Sequence, residues 1–267
     1  MLFNYKKCSN CERYYDPTLN QCPDCHKDNE LYVQRAVPKS VAFFHPVAQI
    51  GLFLTGFAYA GMVISEFCVA LFLTFIDGNL LKRAILLAGS YFLMFIGLLL
   101  IVLLTRKNYF FSKFKNPFDY LFGFAYAGGI VVTTLIISLI VNIFYSGGDN
   151  ANQAAAIELS QNYPLIMSIV LCLLGPICEE MTYRMGLYSF LRRINKYLAM
   201  AVTVIVFAMI HFDFESPDII NELWSLPTYL ACGVILTVAY EHRGPACSIA
   251  AHVIYNTLAF IMILIGK

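Results

Sequence analysis

The sequence has little charge for its length. Only 13% of its 267 residues are Asp, Glu, Lys or Arg, about half the share in a typical soluble domain. The net charge of +1 gives no basic or acidic excess that would attract nucleic acid or an acidic partner. The first residues also lack an apolar core followed by a small-residue cleavage site, so we expect the first spanning helix to act as the insertion signal.

Hydrophobic residues make up 59% of the chain, and several apolar runs exceed the roughly 18 residues that span a bilayer. The sequence therefore predicts an all-α, polytopic membrane helix bundle with about seven spans. These are residues 47–75, 84–104, 118–145, 164–191, 197–212, 226–240 and 245–265, with one short interfacial helix expected in 146–163. We divide the chain into residues 1–40, a small cysteine module with a linker, and 41–267, the transmembrane domain.

Charged residues in the loops give an expected orientation. Basic residues follow the second, fourth and sixth predicted spans: Arg106, Lys107, Lys113, Lys115, Arg192, Arg193, Lys196 and Arg243. The fifth span is followed only by acids: Asp213, Glu215, Asp218 and Glu222. Loops rich in Lys and Arg stay in the cytoplasm. We therefore expect a multi-pass protein of a bacterial cell membrane with a cytoplasmic amino terminus, although Lys82 and Arg83 fall on the opposite side.

Two Cys-x-x-Cys pairs lie ten residues apart near the amino terminus: Cys8, Cys11, Cys22 and Cys25. Four thiolates suit tetrahedral zinc, and a module this small needs metal binding to fold. Two disulfides are the alternative, which a reducing compartment disfavours. Because four cysteines leave no open position on the metal, this zinc is expected to be structural. The module looks like a zinc ribbon, which implies docking of a cytoplasmic partner.

The stretch "GPICEEMTYR" places charged side chains within an apolar run, where each costs about 2.5–3.5 kcal/mol on insertion scales. Glu180 and Arg184 are four residues apart, so they share a helix face and are expected to form an ion pair. Glu179 lies about 140° around the helix from Arg184, which leaves it the less neutralised carboxylate. Pro176 disturbs the backbone hydrogen bonds nearby and favours a water-accessible site.

Two later apolar segments contribute further polar groups. "FAMIHF" places Phe207 and His211 one helical turn apart, and "HVIYN" does the same for His252 and Asn256. Either histidine alone is explained by a hydrogen bond to a neighbouring helix. Together with Glu179 they form a hydrolytic set, in which the carboxylate takes a proton from water. The imidazoles then orient that water, hold a metal or stabilise an oxyanion. A lone acid, Glu66, is interpreted as a helix-end or interhelical hydrogen-bonding group.

These residues resemble the CAAX-protease and bacteriocin-processing family of intramembrane proteases, which includes the type II CAAX prenyl endopeptidases and bacterial Abi-type proteins. The similarity lies in the motif order Glu-Glu-x-x-x-Arg, Phe-x-x-x-His and His-x-x-x-Asn, and it covers residues 160–267. One departure is that Met185 stands between Arg184 and Gly186, where the family often has glycine directly after the arginine.

The resemblance implies an intramembrane endopeptidase acting on a membrane-associated peptide or protein. It implies that Glu179 is the general base, that His211 and His252 position water or bind a divalent metal such as zinc, and that Asn256 donates to the oxyanion. Glu180, Arg184 and Phe207 are implied as supporting residues. Members are commonly labelled metalloproteases, but a metal-free, glutamate-driven reaction fits these residues equally. The alternatives are a non-catalytic scaffold or bacteriocin-immunity protein that binds a peptide, and a small proton-coupled transporter.

Overall fold

The computed structural model describes residues 46–57 and 79–266, together with 5–8, 10–11, 14–15, 21–22, 24–26 and 33–34 near the amino terminus. Most of the first predicted span, including Glu66, lies outside the described residues. The amino-terminal segment contains three short strands, β1 (Tyr5–Lys7), β2 (Tyr14–Tyr15) and β3 (Val33–Gln34). They form an antiparallel sheet in the order β2-β1-β3.

The rest of the described chain is helical, and we number eight helices in chain order. They are α1 (Pro46–Gly56), α2 (Asn79–Ser112), α3 (Pro117–Phe144), α4 (Ala151–Asn162), α5 (Pro164–Leu191), α6 (Lys196–Met209), α7 (Ile219–Arg243) and α8 (Pro245–Ile265). The helical membrane bundle predicted from the sequence is confirmed, and α4 is the short helix expected between the third and fourth spans.

Five of these helices are long and apolar enough to cross a membrane, namely α2, α3, α5, α7 and α8. The protein is therefore an integral membrane protein. At 14 residues α6 is about 21 Å long, which is less than the roughly 30 Å of a hydrocarbon core. The described part of the first predicted span ends at residue 57. The count of seven spans thus stays a prediction, with five of the seven matched by full-length helices.

The boundaries of several predicted spans differ from those of the helices; α2, for example, begins at Asn79 and not at residue 84. The fifth span was expected to run to residue 212, but α6 ends at Met209. The ring Nδ1 of His211 lies 2.8 Å from the carbonyl oxygen of Phe207. In a helix that continued past this point, that carbonyl would accept from the backbone N–H of His211. That N–H instead bonds to Ala208, in a tighter turn. The sixth span was expected from residue 226, but α7 begins at Ile219 because the Asp218 side chain caps it.

Helix α5 contains two segments with π-type hydrogen bonding, Val170–Leu174 and Glu180–Tyr188. In the first, the N–H of Gly175 bonds to the carbonyl of Val170, five residues back. Pro176 has no N–H to offer to Leu171, so the carbonyl of Leu171 is left without a partner from its own helix. The widened helix carries Glu179 and Glu180 directly after this irregular turn.

Helix α1 packs against the second π-type segment of α5, and Gly186 makes the contact possible. A Cβ at this position would lie 2.7 Å from the backbone nitrogen of Phe53 and 3.1 Å from the carbonyl oxygen of Gln49. The apolar core beside this contact is formed by α1, α2 and α5, with Leu52, Leu98, Met181 and Met185 among its buried residues. Glycine is therefore needed two residues after Arg184, not one, to admit α1 at this point.

Candidate active site

A cavity of about 180 Å³ lies between α4, α5, α7 and α8 and brings together the polar residues of three sequence motifs. Its walls include Glu179, Phe207, His211, His252 and Asn256. His211 enters this cavity from the turn that follows the end of α6. Five residues proposed as site residues from sequence thus line one cavity.

The two glutamates of α5 differ in their surroundings. Glu180 is completely buried and accepts a hydrogen bond of 2.9 Å from Arg184, so the expected ion pair is confirmed. Arg184 also donates to the carbonyl of Gly233 on α7 and lies over the ring of Phe207, 4.4 Å from its centroid. Glu180 and Arg184 therefore tie α5 to α6, α7 and, through the next contact, α8.

The imidazole of His252 is held between both glutamates. Its Nδ1 lies 3.0 Å from Oε1 of Glu180, and its Nε2 lies 3.7 Å from Oε2 of Glu179. Glu180, which is paired with Arg184, can only accept a hydrogen bond, so Nδ1 carries the proton. A neutral His252 consequently turns the lone pair of Nε2 towards Glu179.

His211 is oriented by a backbone carbonyl on one side and an aromatic ring on the other. Because the carbonyl of Phe207 can only accept, the proton of neutral His211 also lies on Nδ1. The ring of His211 stacks on Tyr229 of α7, with 4.4 Å between centroids. Sequence reasoning missed Tyr229, since no motif or spacing marks it within α7. Both histidines thus leave Nε2 as an acceptor.

Asn256 supplies the partner that the irregular turn of α5 needs. Its side-chain amide donates a hydrogen bond of 3.0 Å to the carbonyl of Leu171. An amide has two N–H bonds, so one remains for a ligand in the cavity. Asn256 therefore joins α8 to α5 at the same level as the catalytic candidates.

A buried carboxylate, Glu222, fixes the end of the bundle near the cavity. It accepts hydrogen bonds from the backbone N–H of Ala151, at 2.8 Å, and of Asp213, at 3.2 Å. Asn150, which caps α4, contacts both Glu222 and the hydroxyl of Tyr229. Glu222 was expected in an acidic loop; it instead lies in the first turn of α7 and joins α4 and the segment after α6 to that helix.

The ligand atoms of the cavity residues are more widely spaced than those of the amino-terminal cysteines. Among the described residues, only the four amino-terminal cysteines form a group of three or more His, Cys, Asp or Glu whose ligand atoms all lie within 4.8 Å of one another. Two imidazoles and a carboxylate have the right chemistry for zinc, but Glu179, His211 and His252 are spaced more widely.

The four cysteines do fit zinc. Sulfur atoms of Cys8 and Cys25, and of Cys11 and Cys22, lie 3.5 Å apart, near the ~3.8 Å edge of a four-thiolate tetrahedron. Burial raises the pKa of the Cys8 thiol, but backbone N–H groups of Cys11 and Asn10 donate to its sulfur and lower the pKa to about 6. His26 is exposed and outside this group.

The fold and cavity define a polytopic membrane protein with a buried carboxylate–imidazole site. Residues 161–258 match the family model described as type II CAAX prenyl endopeptidase Rce1-like. No solved structure matches the chain.

Two curated relatives are similar over more than half of the chain. The UPF0177 protein YvdC of Lactococcus lactis is 25% identical over 156 residues, which are 58% of this chain and 56% of that protein. The membrane-embedded CAAX protease MroQ of Staphylococcus aureus is 24% identical over 163 residues, 57% of this chain and 62% of the relative. The chain thus spans about half the length of the curated relatives it matches.

Proposed function

We propose that this protein is an intramembrane endopeptidase in which Glu179 activates water to hydrolyse a peptide bond of a membrane-associated peptide or protein. One observation carries the proposal. The Glu179 carboxylate faces a cavity shared with two imidazoles, while the neighbouring Glu180 is neutralised by Arg184. The family model and the name of the relative MroQ support a protease of the membrane.

The reaction follows from the acceptors that line the cavity. The 3.7 Å between Glu179 Oε2 and His252 Nε2 suits a bridging water that donates one proton to each atom. Glu179 takes a proton as the water oxygen attacks the carbonyl carbon of the scissile peptide. The free N–H of Asn256 donates to the resulting oxyanion. As the C–N bond breaks, the proton passes from Glu179 to the leaving nitrogen, and the carboxylate is restored.

The test uses the full chain, reconstituted in phosphatidylglycerol vesicles, and a mixture of internally quenched ten-residue peptides of random sequence. We expect cleavage by the parent and loss of turnover by at least about 100-fold in Glu179→Gln, which keeps the shape but removes the base. Glu158→Gln, at an exposed side chain of α4, is the matched control and should keep full turnover. Equal turnover by Glu179→Gln and the parent would contradict the assignment of the base.

A binding protein without catalysis is the alternative, and the same experiment separates the two. Retention of peptides by the parent without any cleavage would favour the scaffold or bacteriocin-immunity function. Loss of cleavage on adding a chelator to the Cys22→Ser variant, whose amino-terminal site is already broken, would show that the cavity itself needs a metal.

We also propose that Cys8, Cys11, Cys22 and Cys25 hold one structural zinc and that the ribbon docks a cytoplasmic partner. The closed set of four sulfurs supports a structural role, since it leaves no position for substrate or water. Zinc there would stabilise the fold of the amino-terminal sheet.

A further inference from the structure

A second and larger cavity adjoins the candidate active site. It has a volume of about 370 Å³ and lies between the second half of α3 and the first half of α7. Gln153, Thr228, Tyr229 and Tyr255 line both this cavity and the one that contains Glu179. Because these four residues border both volumes, a ligand in one lies next to a ligand in the other.

Two rows of polar side chains face this second cavity. The row on α3 has a spacing of four residues, and the row on α7 has spacings of four and three, so each row occupies one helix face. The six residues are Thr134, Ser138, Asn142, Asn221, Ser225 and Thr228. Polar groups are unfavourable against lipid tails unless they line protein or a hydrated space. The rows therefore define a polar cleft between two membrane-spanning helices.

Part of the hydrogen-bonding capacity of this cleft is unused by the protein. Thr134 donates to the carbonyl of Val131, and Ser225 donates to that of Asn221. The side chains of Ser138 and Asn142 are exposed and make no hydrogen bond to the described part of the chain. A hydroxyl and an amide both donate and accept, which matches the alternating N–H and C=O groups of an extended peptide.

The length and charge of the cleft limit what it accepts. Each row covers about eight residues of helix, or ~12 Å, which corresponds to about four residues of extended peptide. Its described lining has one carboxylate, Asp149, and no lysine or arginine. An acidic segment would meet this carboxylate without a compensating cation, so an uncharged segment is favoured.

We infer that the polar cleft between α3 and α7 binds about four uncharged residues of an extended peptide substrate, directly to one side of the scissile bond. This inference rests on the proposed function and adds a substrate class to it. Peptide N–H and C=O groups pair with Ser138 and Asn142 on one wall and with the α7 row on the other. The bound segment passes Tyr229, which stacks on His211, before it reaches Glu179.

The first experiment measures binding without catalysis. The photoreactive residue p-benzoylphenylalanine replaces Asn142 in the Glu179→Gln protein, and a biotinylated version of the random peptide mixture is added in the same vesicles. Leu139 on the same helix is exposed and outside the cleft, so its replacement is the matched control. We expect crosslinked peptide from position 142 and none from 139. Equal crosslinking at both positions, or none at 142, overturns the inference.

The second experiment reads the sequence preference from the cleaved products. We expect serine, threonine, glycine, alanine and asparagine to exceed aspartate and glutamate at up to four positions on one side of the cut. The Ser138→Leu/Asn142→Leu variant should lose this preference and raise KM about tenfold, as loss of one or two hydrogen bonds implies, with kcat within about twofold. Leu139→Ala should change neither.

The two experiments separate the inference from the function on which it rests. Cleavage by the parent with no positional preference, or an unchanged preference in the double variant, overturns the cleft and leaves the endopeptidase intact. A parent that cleaves no peptide overturns the endopeptidase. Crosslinking at position 142 then still shows whether the cleft binds peptide.

Discussion

Asn256 donates a hydrogen bond of 3.0 Å to the carbonyl of Leu171, an acceptor that Pro176 leaves without a helical partner. The proline of the α5 motif and the asparagine of the α8 motif therefore complement each other, although 80 residues separate them in the sequence. One N–H of the amide bonds to the widened part of α5, and the proposed reaction uses the other to stabilise the oxyanion. Removing Asn256 should consequently affect both stability and rate.

These two effects can be separated with a compensating substitution. We expect Asn256→Leu to lower the free energy of unfolding by about 1–3 kcal/mol, because the half-buried carbonyl of Leu171 loses its donor, and to lower kcat by about 100-fold. Pro176→Ala restores an N–H to α5, so the double variant should recover stability and not kcat. Unfolding in mixed detergent–SDS micelles and peptide turnover are the two measurements. Recovery of both together would show that Asn256 acts only through the backbone of α5.

Removing only one charge of the buried Glu180–Arg184 ion pair should destabilise the protein strongly. Glu180→Gln leaves Arg184 as a buried cation and weakens the hold on His252, so we expect a loss of about 3–5 kcal/mol in the free energy of unfolding. Glu180→Gln/Arg184→Met removes both charges and should recover part of this loss.

The comparison for that prediction is an exposed pair on the same protein. Arg83 and Glu158 lie 3.3 Å apart with about half of each side chain exposed, so Glu158→Gln should change stability by at most about 1 kcal/mol. Similar losses at Glu158 and Glu180 would argue against a buried network. Both variants are measured by the same unfolding assay.

The close approach of α1 to α5 predicts an asymmetry between two glycines. Gly186→Ala places a Cβ 2.7 Å from the backbone of Phe53, which cannot move without shifting α1, so we expect a loss of about 1–3 kcal/mol. Gly128→Ala on α3 meets no atom within 4 Å and should be neutral or gain up to about 1 kcal/mol in helix propensity. Thermal unfolding in detergent distinguishes the two, and equal effects would contradict the packing of α1 described above.

The cysteine group predicts the metal content of the protein. We expect about one zinc per chain by atomic emission in the parent and almost none in Cys22→Ser, because three sulfurs hold zinc far less tightly than four. Cys172→Ala, within α5 and remote from this group in the sequence, should keep the zinc. If Cys22→Ser still contained one zinc per chain, the metal would have to be bound by other residues.

The sequence was sufficient for features that depend on spacing along one helix. The four-residue interval from Glu180 to Arg184 predicted their ion pair, and apolar run length predicted the spanning helices. It was insufficient where the outcome depends on partners from elsewhere in the chain. The end of α6 is set by the ring of His211, the start of α7 by Asp218, and the role of Tyr229 by its stacking on His211. An aspartate before an apolar helix is a known start signal, but the ring contact of His211 and the stacking of Tyr229 have no period or composition that marks them in advance.

The hydrogen bonds from the backbone of Ala151 and Asp213 to Glu222 determine where this chain can accept inserted residues. Residues 211–213 are held between the end of α6 and the first turn of α7, because the backbone N–H of Asp213 bonds to Glu222. Residues 214–217 follow this contact in the chain. Added residues after position 213 would bulge into solvent and spare His211. The same addition before position 213 would pull that imidazole away from the cavity, so related chains of different length should differ on the far side of Asp213.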